Sequence, residues 1–201
     1  MDNPIRHKLI FFTGAGISVA SGIPTFEDQP DLRGKLDRNF ALTHPDEYKA
    51  AVAKMKETCD AAEPNAAHYA IAAMNCPVIT MNIDGLHRKA GTANLIEMHG
   101  RLPNDEEINA DNLNRLMNIP VLYGDPAPAY QKAYSVIKKL EYGNSRLVIV
   151  GTSFYTRVSE EIRKLAEQRK ANIIIINDNA ETKVPELCKK LVAETAEQNK
   201  I

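Results

Sequence analysis

The chain has few cysteines and no long apolar run, which argues against a disulfide-stabilised protein and against a membrane-spanning one. There are three cysteines, Cys59, Cys76 and Cys188, an odd number without a CxxC pair. They therefore predict neither a disulfide framework nor a cysteine zinc site. No apolar stretch approaches the ~18 residues of a membrane span, and no signal-peptide core follows the N-terminus. We therefore expect no membrane association, and the cysteine usage favours the cytoplasm.

An excess of charge of one sign is also missing. The 25 basic and 26 acidic residues leave a formal net charge of -1, which offers no electrostatic reason to expect nucleic acid as a partner. A composition of 44% hydrophobic and 25% charged residues is typical of a globular protein. The length of 201 residues predicts a single domain, with room for a smaller lobe.

Short apolar runs that alternate with helical patterns predict an α/β fold. The runs are continuous rather than alternating, which is typical of strands in a sheet covered on both faces. The six predicted strands are Lys8–Phe12, Val78–Thr80, Leu95–Met98, Pro120–Tyr123, Leu147–Val150 and Ile173–Ile176. The predicted helices are Pro45–Glu57, Pro64–Met74, Ala129–Leu140, Val158–Lys170 and Val184–Glu197. This order predicts a doubly wound, Rossmann-like parallel sheet of about six strands.

Polar residues follow the predicted strands, at the edge where ligands bind in an open parallel sheet. They include Thr13-Gly14, Asn82, Asp84, His99-Gly100, Gly151-Thr152-Ser153 and Asn177. Turns favour Gly, Asn, Asp and Ser without any ligand, so turn formation explains most of these positions singly. It explains His99 poorly, and we therefore expect a binding site at this edge.

The stretch from Thr13 to Asp28, TGAGISVASGIPTFED, follows the first predicted strand. Gly14 and Gly16 match the first two glycines of a dinucleotide-binding loop, and a helix starting near Ile17 would direct free N–H groups at an anion. Val19 stands where the third glycine belongs. A glycine-rich turn without a ligand explains this short pattern equally well.

Longer strings carry a more specific signal. The string GAGISVASGIPTFE resembles the opening signature of the sirtuins, a family of NAD-dependent protein deacylases. Three further strings resemble sirtuin motifs in the same order: PNAAHYAI from Pro64, TMNIDGLHRKAG from Thr80 and EMHG from Glu97. Weaker similarities follow in PVLYGDPAP, VGTSF and IIIIN. The chain is therefore identified as a member of this family, and the matches span nearly its whole length.

The resemblance implies an NAD site and a catalytic base. The implied cofactor-contacting residues are Gly14, Ala15, Gly16, Ser18, Ile23, Pro24, Phe26, Asn82, Ile83, Asp84, Gly151, Thr152, Ser153 and Asn177. The glycine loop and Ser153 would contact the phosphates, Asn177 the adenosine ribose, and the loop from Ile23 to Phe26 the nicotinamide ribose. Asn82 and Asp84 would hold that ribose and the carboxamide, and His99 would act as general base. His68 and His87 lie inside apolar stretches, and we expect them and His44 to be structural rather than to contact a ligand.

The implied activity is removal of an acyl group from a lysine side chain of a protein or peptide, with transfer to ADP-ribose and release of nicotinamide. A histidine suits the base because its ordinary pKa of about 6.5 lies near operating pH. Two alternatives stay open. The chain could instead be an NAD glycohydrolase or ADP-ribosyltransferase, or a non-catalytic module that binds NAD or ADP-ribose.

Four departures from the family pattern bear on these alternatives. Residues 101–119 contain no cysteine, so the four-cysteine zinc ribbon is not expected. This region and residues 28–75 are predicted to form a reduced helical small lobe of the single domain 1–201. Glu27 stands where the pattern has arginine; either it points away from the phosphates or Arg33 or Arg38 compensates. Met81 replaces a glutamine. The string after Ser153 also diverges, and Arg157 there is a third candidate cation.

Overall fold

The computed structural model describes residues 8–110, 112–123, 125, 129–153 and 156–198. Within these ranges, five parallel strands form one sheet in the order β3-β2-β1-β4-β5. They are β1 (Leu9–Thr13), β2 (Val78–Thr80), β3 (Leu95–Glu97), β4 (Arg146–Val150) and β5 (Asn172–Ile176). The order reverses at β1, where chain connections leave in opposite directions, so the doubly wound α/β prediction is confirmed.

Helices flank the sheet and build a separate layer beside it. They are α1 (Pro30–Lys35), α2 (Arg38–Thr43), α3 (Pro45–Ala61), α4 (Ala66–Ala73), α5 (Leu86–Lys89), α6 (Asp105–Asn109), α7 (Leu113–Leu116), α8 (Ala129–Lys138), α9 (Arg157–Gln168) and α10 (Ala180–Gln198). A 3₁₀ helix, Ala15–Ser21, follows β1 directly. No helix in the described ranges has the length and apolar character needed to cross a bilayer.

The continuous apolar character of β1 has a direct structural cause. Leu9 and Phe11 pack into a cluster with α4 and α10 on one face, whereas Ile10 and Phe12 pack into a cluster with α8 and α9 on the other. Because successive side chains of a strand point to opposite faces, a strand covered on both sides must be apolar at every position. Burying both faces holds the carboxyl end of β1 firmly at the centre of the sheet.

The segment Pro120–Tyr123 is not a strand of the sheet, so one of the six predicted strands is wrong. It forms two isolated bridges, from Pro120 to Gly100 and from Tyr123 to Asp37, rather than a rung of the sheet. Its backbone is paired with loops, since the N–H of Tyr123 donates to the carbonyl of Leu36 at 3.0 Å. An apolar run of four residues was sufficient to suggest a strand but not to provide a neighbouring strand.

A third apolar cluster lies apart from the two sheet clusters. It joins α1, α2 and α3 to α6 and α7 around the fully buried Tyr48, Val52 and Leu116. α4, at the end of the range 28–75, packs instead with α10 on the sheet. The small lobe predicted at 28–75 and 101–119 stays a proposal; below, the term small lobe names only the helices of this third cluster, α1–α3, α6 and α7, of which α1 and α3 form one wall of the site.

Candidate functional site

Three glycines bring the loops after β1 and β4 into backbone contact. A Cβ atom on Gly16 would lie 2.6 Å from the Cα of Gly151, and one on Gly14 would lie 2.7 Å from the carbonyl oxygen of Gly151. Gly151 itself has a φ of +60°. The N–H of Gly16 donates to the carbonyl of Gly151 at 2.9 Å. These glycines are therefore required by the crossing of two loops, a role the sequence did not reveal.

The glycine loop nevertheless offers one free donor to a ligand. The N–H groups of Gly14 and Gly16 are both bonded to carbonyls of the β4 side, at 3.0 and 2.9 Å. Between them, the N–H of Ala15 donates to no acceptor among the residues described, and Ala15 lines the cavity. The backbone amide of Ala15 is thus the part of this loop that a bound anion can engage.

A hydrogen-bonded cluster forms where β2 ends. The side-chain nitrogen of Asn82, Nδ2, lies 3.2 Å from the carbonyl oxygen of Gly14, 3.3 Å from the hydroxyl of Ser18 and 3.1 Å from Oδ2 of Asp84. Ser18, which is fully buried, donates to the same Oδ2 atom at 2.7 Å, and the backbone N–H of Leu86 donates to Oδ1 at 2.9 Å. Ser18 therefore orients Asp84 from behind.

Two acceptor positions of this cluster are left for a ligand. Oδ1 of Asp84 has two lone pairs, and only Leu86 occupies one of them among the described residues. Oδ1 of Asn82 accepts no hydrogen bond from the part of the chain that the structure describes. Asn82 and Asp84 can thus accept hydrogen bonds from a carboxamide N–H and a ribose hydroxyl.

Asn82 and Asp84 line a cavity of about 420 Å³, a size common among small-molecule sites. Half of the fourteen implied cofactor residues line it: Ala15, Ile23, Pro24, Phe26, Asn82, Ile83 and Asp84. The opposite wall comes from the small lobe, through α1 and α3. The cavity is therefore a cleft between the sheet edge and the small lobe.

His99 follows β3 and does not itself line the cavity; it is linked to the site through Met81, the residue before Asn82, and is fixed by two hydrogen bonds. Its Nδ1 atom is 2.8 Å from the carbonyl oxygen of Met81, and its Nε2 atom is 3.0 Å from the hydroxyl of Tyr130. A carbonyl can only accept, so Nδ1 carries the hydrogen and Nε2 holds the lone pair of the neutral ring. Burial lowers the pKa of His99, against the opposing effect of the bond to Met81. The ring is thus poised to accept a proton at Nε2.

His68 and His87 form a buried pair behind the cluster. Their ring centroids are 5.0 Å apart, and the Nε2 atom of His87 is 2.9 Å from the hydroxyl of Thr13. Burial lowers the pKa of His68 to about 4 and that of His87 to about 3, so both rings are neutral at pH 7. Neither lines the cavity, and His44 is an exposed residue that stacks on Phe40.

The residues expected on the adenosine side lie on the other half of the sheet edge. Oδ1 of Asn177, after β5, accepts from the N–H of Thr152 at 3.0 Å, which leaves its amide nitrogen without a partner among the described residues. Thr152 is buried, whereas Ser153 and Asn177 are exposed. None of these three residues lines the cavity, so the adenosine end of a dinucleotide would extend over the open rim.

Of the two alternatives stated for Glu27, its position outside the cavity agrees with the first, in which it points away from the phosphates. Glu27 is exposed and lines a neighbouring open groove with Arg33 and Tyr123, rather than the cavity. Arg38 forms an ion pair with Asp125 and donates to the carbonyl of Met117 at 3.1 Å. Neither Glu27 nor Arg38 is therefore available inside the cavity.

Two other cations differ in whether they reach the cavity. Arg157 pairs with Glu161 at 2.7 Å and has a side chain 90% exposed. Lys54 on α3 lines the cavity and has no carboxylate partner within the described residues. Lys54 could not be predicted as a cavity residue from the sequence, because only the small-lobe packing turns its face of α3 towards the cleft.

Two further residues were also missed. Asn65 caps α4 and its side chain donates to the carbonyl of Ile17 at 2.8 Å, which ties the glycine loop to that helix. The string that begins at Pro64 was the available signal for it. Tyr130 had no signal, because its contact with His99 joins residues 31 apart in the chain.

Comparison with known proteins identifies the family. Residues 14–115 match the sequence profile of the Sir2 family. The NAD-dependent protein deacetylase of Saccharolobus solfataricus is 30% identical over 200 residues, covering 84% of this chain and 79% of that protein. NAD-dependent protein deacylase 2 of Archaeoglobus fulgidus is 30% identical over 206 residues, covering 86% and 80%. The chain belongs to the Sir2 family.

Solved structures agree at the level of the fold. A structure from work on the mechanism and regulation of Sir2 enzymes superposes with a TM-score of 0.75 at 26% identity, covering 92% of this chain and 94% of that one. A complex of a Sir2 homologue with NAD gives a TM-score of 0.76 at 21% identity, covering 92% and 90%. Sir2Tm bound to a propionylated peptide gives 0.75 at 24% identity, covering 94% and 93%.

Proposed function

We propose that this chain is an NAD-dependent protein-lysine deacylase, which transfers an acyl group from lysine to ADP-ribose and releases nicotinamide. The observation that carries the proposal is a cleft lined by Asn82 and Asp84, which keep free acceptors, with the neutral His99 bonded to the carbonyl of Met81, the residue before Asn82. The names of the relatives, NAD-dependent protein deacetylase and deacylase, support it.

The residues of the cleft suit the nicotinamide half of the cofactor. When bound, NAD supplies a ribose carbon whose bond to nicotinamide breaks as the carbonyl oxygen of the acyl group takes its place. Asp84 would accept from the carboxamide N–H through its free lone pair, and Asn82 would accept from a ribose hydroxyl. The amide of Ala15 would bind a phosphate oxygen. Ile23 and Phe26 would exclude water from this end of the cleft.

His99 would remove a proton from a ribose hydroxyl. Its Nδ1–H is held by Met81, so the ring cannot change tautomer without losing that bond, and the lone pair stays on Nε2. The side chain of Met81 packs away from the cleft towards Thr156. The polar contact with the ribose that the family resemblance implies for a glutamine here is therefore lost, whereas the backbone contact of Met81 with His99 does not depend on the side chain.

Product analysis by mass spectrometry tests the proposal directly. The purified protein is incubated with NAD, with and without acetyl- and propionyl-lysine peptides, beside His99→Ala and Asp84→Asn variants. We expect deacylated peptide, nicotinamide and O-acyl-ADP-ribose from the wild type, and a loss of about 10²-fold or more in His99→Ala. Asp60→Asn, an exposed carboxylate on α3, is the matched control for Asp84→Asn and should retain activity.

The other outcomes distinguish the alternatives. Nicotinamide release at the same rate without any peptide would identify an NAD glycohydrolase. ADP-ribose attached to the peptide would identify a transferase. Binding of NAD without any product, by wild type and His99→Ala alike, would identify a non-catalytic sensor.

We further propose that the chain needs no structural zinc and works in a reducing compartment such as the cytoplasm. Where the family pattern has cysteines, Glu107 holds this region through two 2.8 Å bonds from Arg101, and that pairing lowers the pKa of Glu107 to about 2. The thiols of Cys59, Cys76 and Cys188 are buried and unpaired. Elemental analysis of the purified protein checks this proposal, and one zinc per chain would refute it.

A further inference from the structure

The hydroxyl of Tyr130 occupies the position from which His99 would receive a proton. The phenolic oxygen lies 3.0 Å from Nε2, and the two rings meet edge to face with centroids 5.9 Å apart. Tyr130 belongs to the first turn of α8, which otherwise contributes buried residues to the sheet cluster. No motif of the sequence includes this tyrosine.

The direction of this hydrogen bond follows from its surroundings. Because the Nδ1–H of His99 donates to the carbonyl of Met81, Nε2 of the neutral ring can only accept. The hydroxyl of Tyr130 is therefore the donor. Burial raises the pKa of Tyr130 and lowers that of His99, so both groups are in the protonation state that this bond requires.

We propose that Tyr130 caps the proton-accepting nitrogen of His99 in the cofactor-free protein, and that NAD must displace this hydroxyl to engage the base. The inference rests on the proposed function, in which His99 receives a ribose proton. An imidazole nitrogen has a single lone pair in the plane of the ring. Tyr130 and a ribose hydroxyl therefore cannot both donate to it.

The neighbouring residues allow the side chain to move while the helix stays in place. Ala133 and Ile137 anchor the later turns of α8 in the core. Tyr134, whose ring centroid is 6.4 Å from that of Tyr130, donates to Glu161 on α9. Displacement of the cap is thus a rotation of the Tyr130 side chain against a fixed helix.

The test is the binding of NAD by Tyr130→Phe, measured by calorimetry. Removing the hydroxyl takes one hydrogen bond from the cofactor-free state and none from the bound state, so we expect a Kd about two- to tenfold lower than that of the wild type. Tyr134→Phe, which loses a hydroxyl on the same helix, should leave the Kd unchanged. In a His99→Ala background, Tyr130→Phe should no longer change the Kd.

A second measurement reads the cap without cofactor. The ¹⁵N resonance of the unprotonated ring nitrogen of His99 reports whether its lone pair accepts a hydrogen bond. We expect this resonance to shift between the wild type and Tyr130→Phe, and to stay unchanged in Tyr134→Phe. An identical resonance in the wild type and Tyr130→Phe would overturn the cap whether or not NAD binds.

The remaining outcomes separate failure of the cap from failure of the proposed function. Equal or weaker NAD binding by Tyr130→Phe would overturn the displacement step alone. A large fall in kcat with an unchanged Kd would also overturn it, since the tyrosine would then pass the proton to His99 instead. A wild type that does not bind NAD would refute the proposed function and the displacement step together.

Discussion

The contact between the two loops of the site gives a prediction at Gly151 with a matched control. Gly151 has a φ of +60°, and a Cβ there would lie 2.2 Å from the nitrogen of Ile17 and 2.4 Å from the carbonyl carbon of Gly16. Gly143 has a similar φ of +69°, but a Cβ there would meet nothing within 4 Å. Alanine at either position carries the backbone penalty, and only alanine at Gly151 carries the steric one.

The expected magnitudes follow from these two penalties. A left-handed conformation costs a residue with a Cβ about 1–2 kcal/mol, which is the whole effect expected for Gly143→Ala. Overpacking against backbone atoms adds about 1–3 kcal/mol, so Gly151→Ala should lose about 2–5 kcal/mol of unfolding free energy. Because Ala15 lies between the glycines in contact with Gly151, NAD affinity should fall in Gly151→Ala only.

Urea denaturation and calorimetric NAD binding measure the two effects. The comparison requires equal m-values for the two variants, since a change in m would mean that more than stability has altered. Equal losses of stability in Gly151→Ala and Gly143→Ala would refute the reasoning. They would mean that the loops separate freely and that the glycines are not required for their crossing.

Three further predictions concern charge. The pKa values of His68 and His87, about 4 and about 3, lie below the ordinary 6.5, so the unfolded state binds more protons below that pH. Between about pH 6.5 and the folded-state pKa of each histidine, the free energy of unfolding should therefore fall by up to about 1.4 kcal/mol per histidine for each pH unit, and His87→Gln should flatten this fall in urea titrations. Asp125→Asn should lower the free energy of unfolding by about 1–3 kcal/mol, because it leaves the partly buried charge of Arg38 without its partner. Arg157→Ala, which removes an exposed ion pair, should lower it by less than about 0.5 kcal/mol, and similar losses in the two variants would contradict this reasoning. Because burial lowers the pKa of His99, kcat/KM for deacylation should decline on the acid side with an apparent pKa below about 6.5, and a decline centred above that value would count against His99 as the base.

The sequence by itself determined that the protein has a doubly wound parallel sheet and which polar residues follow its strands. A strand covered on both faces is apolar at successive positions, so the run Lys8–Phe12 could be recognised without knowing its partners, and the structure has this strand at Leu9–Thr13. The position of Asn82, Asp84 and His99 just after strands followed from the same pattern. Local information was sufficient here, because strand periodicity and the residues that end a strand are properties of neighbouring positions.

Tertiary structure alone decided which groups meet. Pro120–Tyr123 was wrongly predicted as a sheet strand, because an apolar run does not reveal whether a neighbouring strand exists. The pairing of Arg38 with Asp125 and the contact of Gly16 with Gly151 join residues far apart in the chain. The contact of the Tyr130 hydroxyl with Nε2 of His99 also joins residues that are far apart in the chain. Such contacts depend on how helices and loops pack over the sheet, and no spacing within the sequence carries that information.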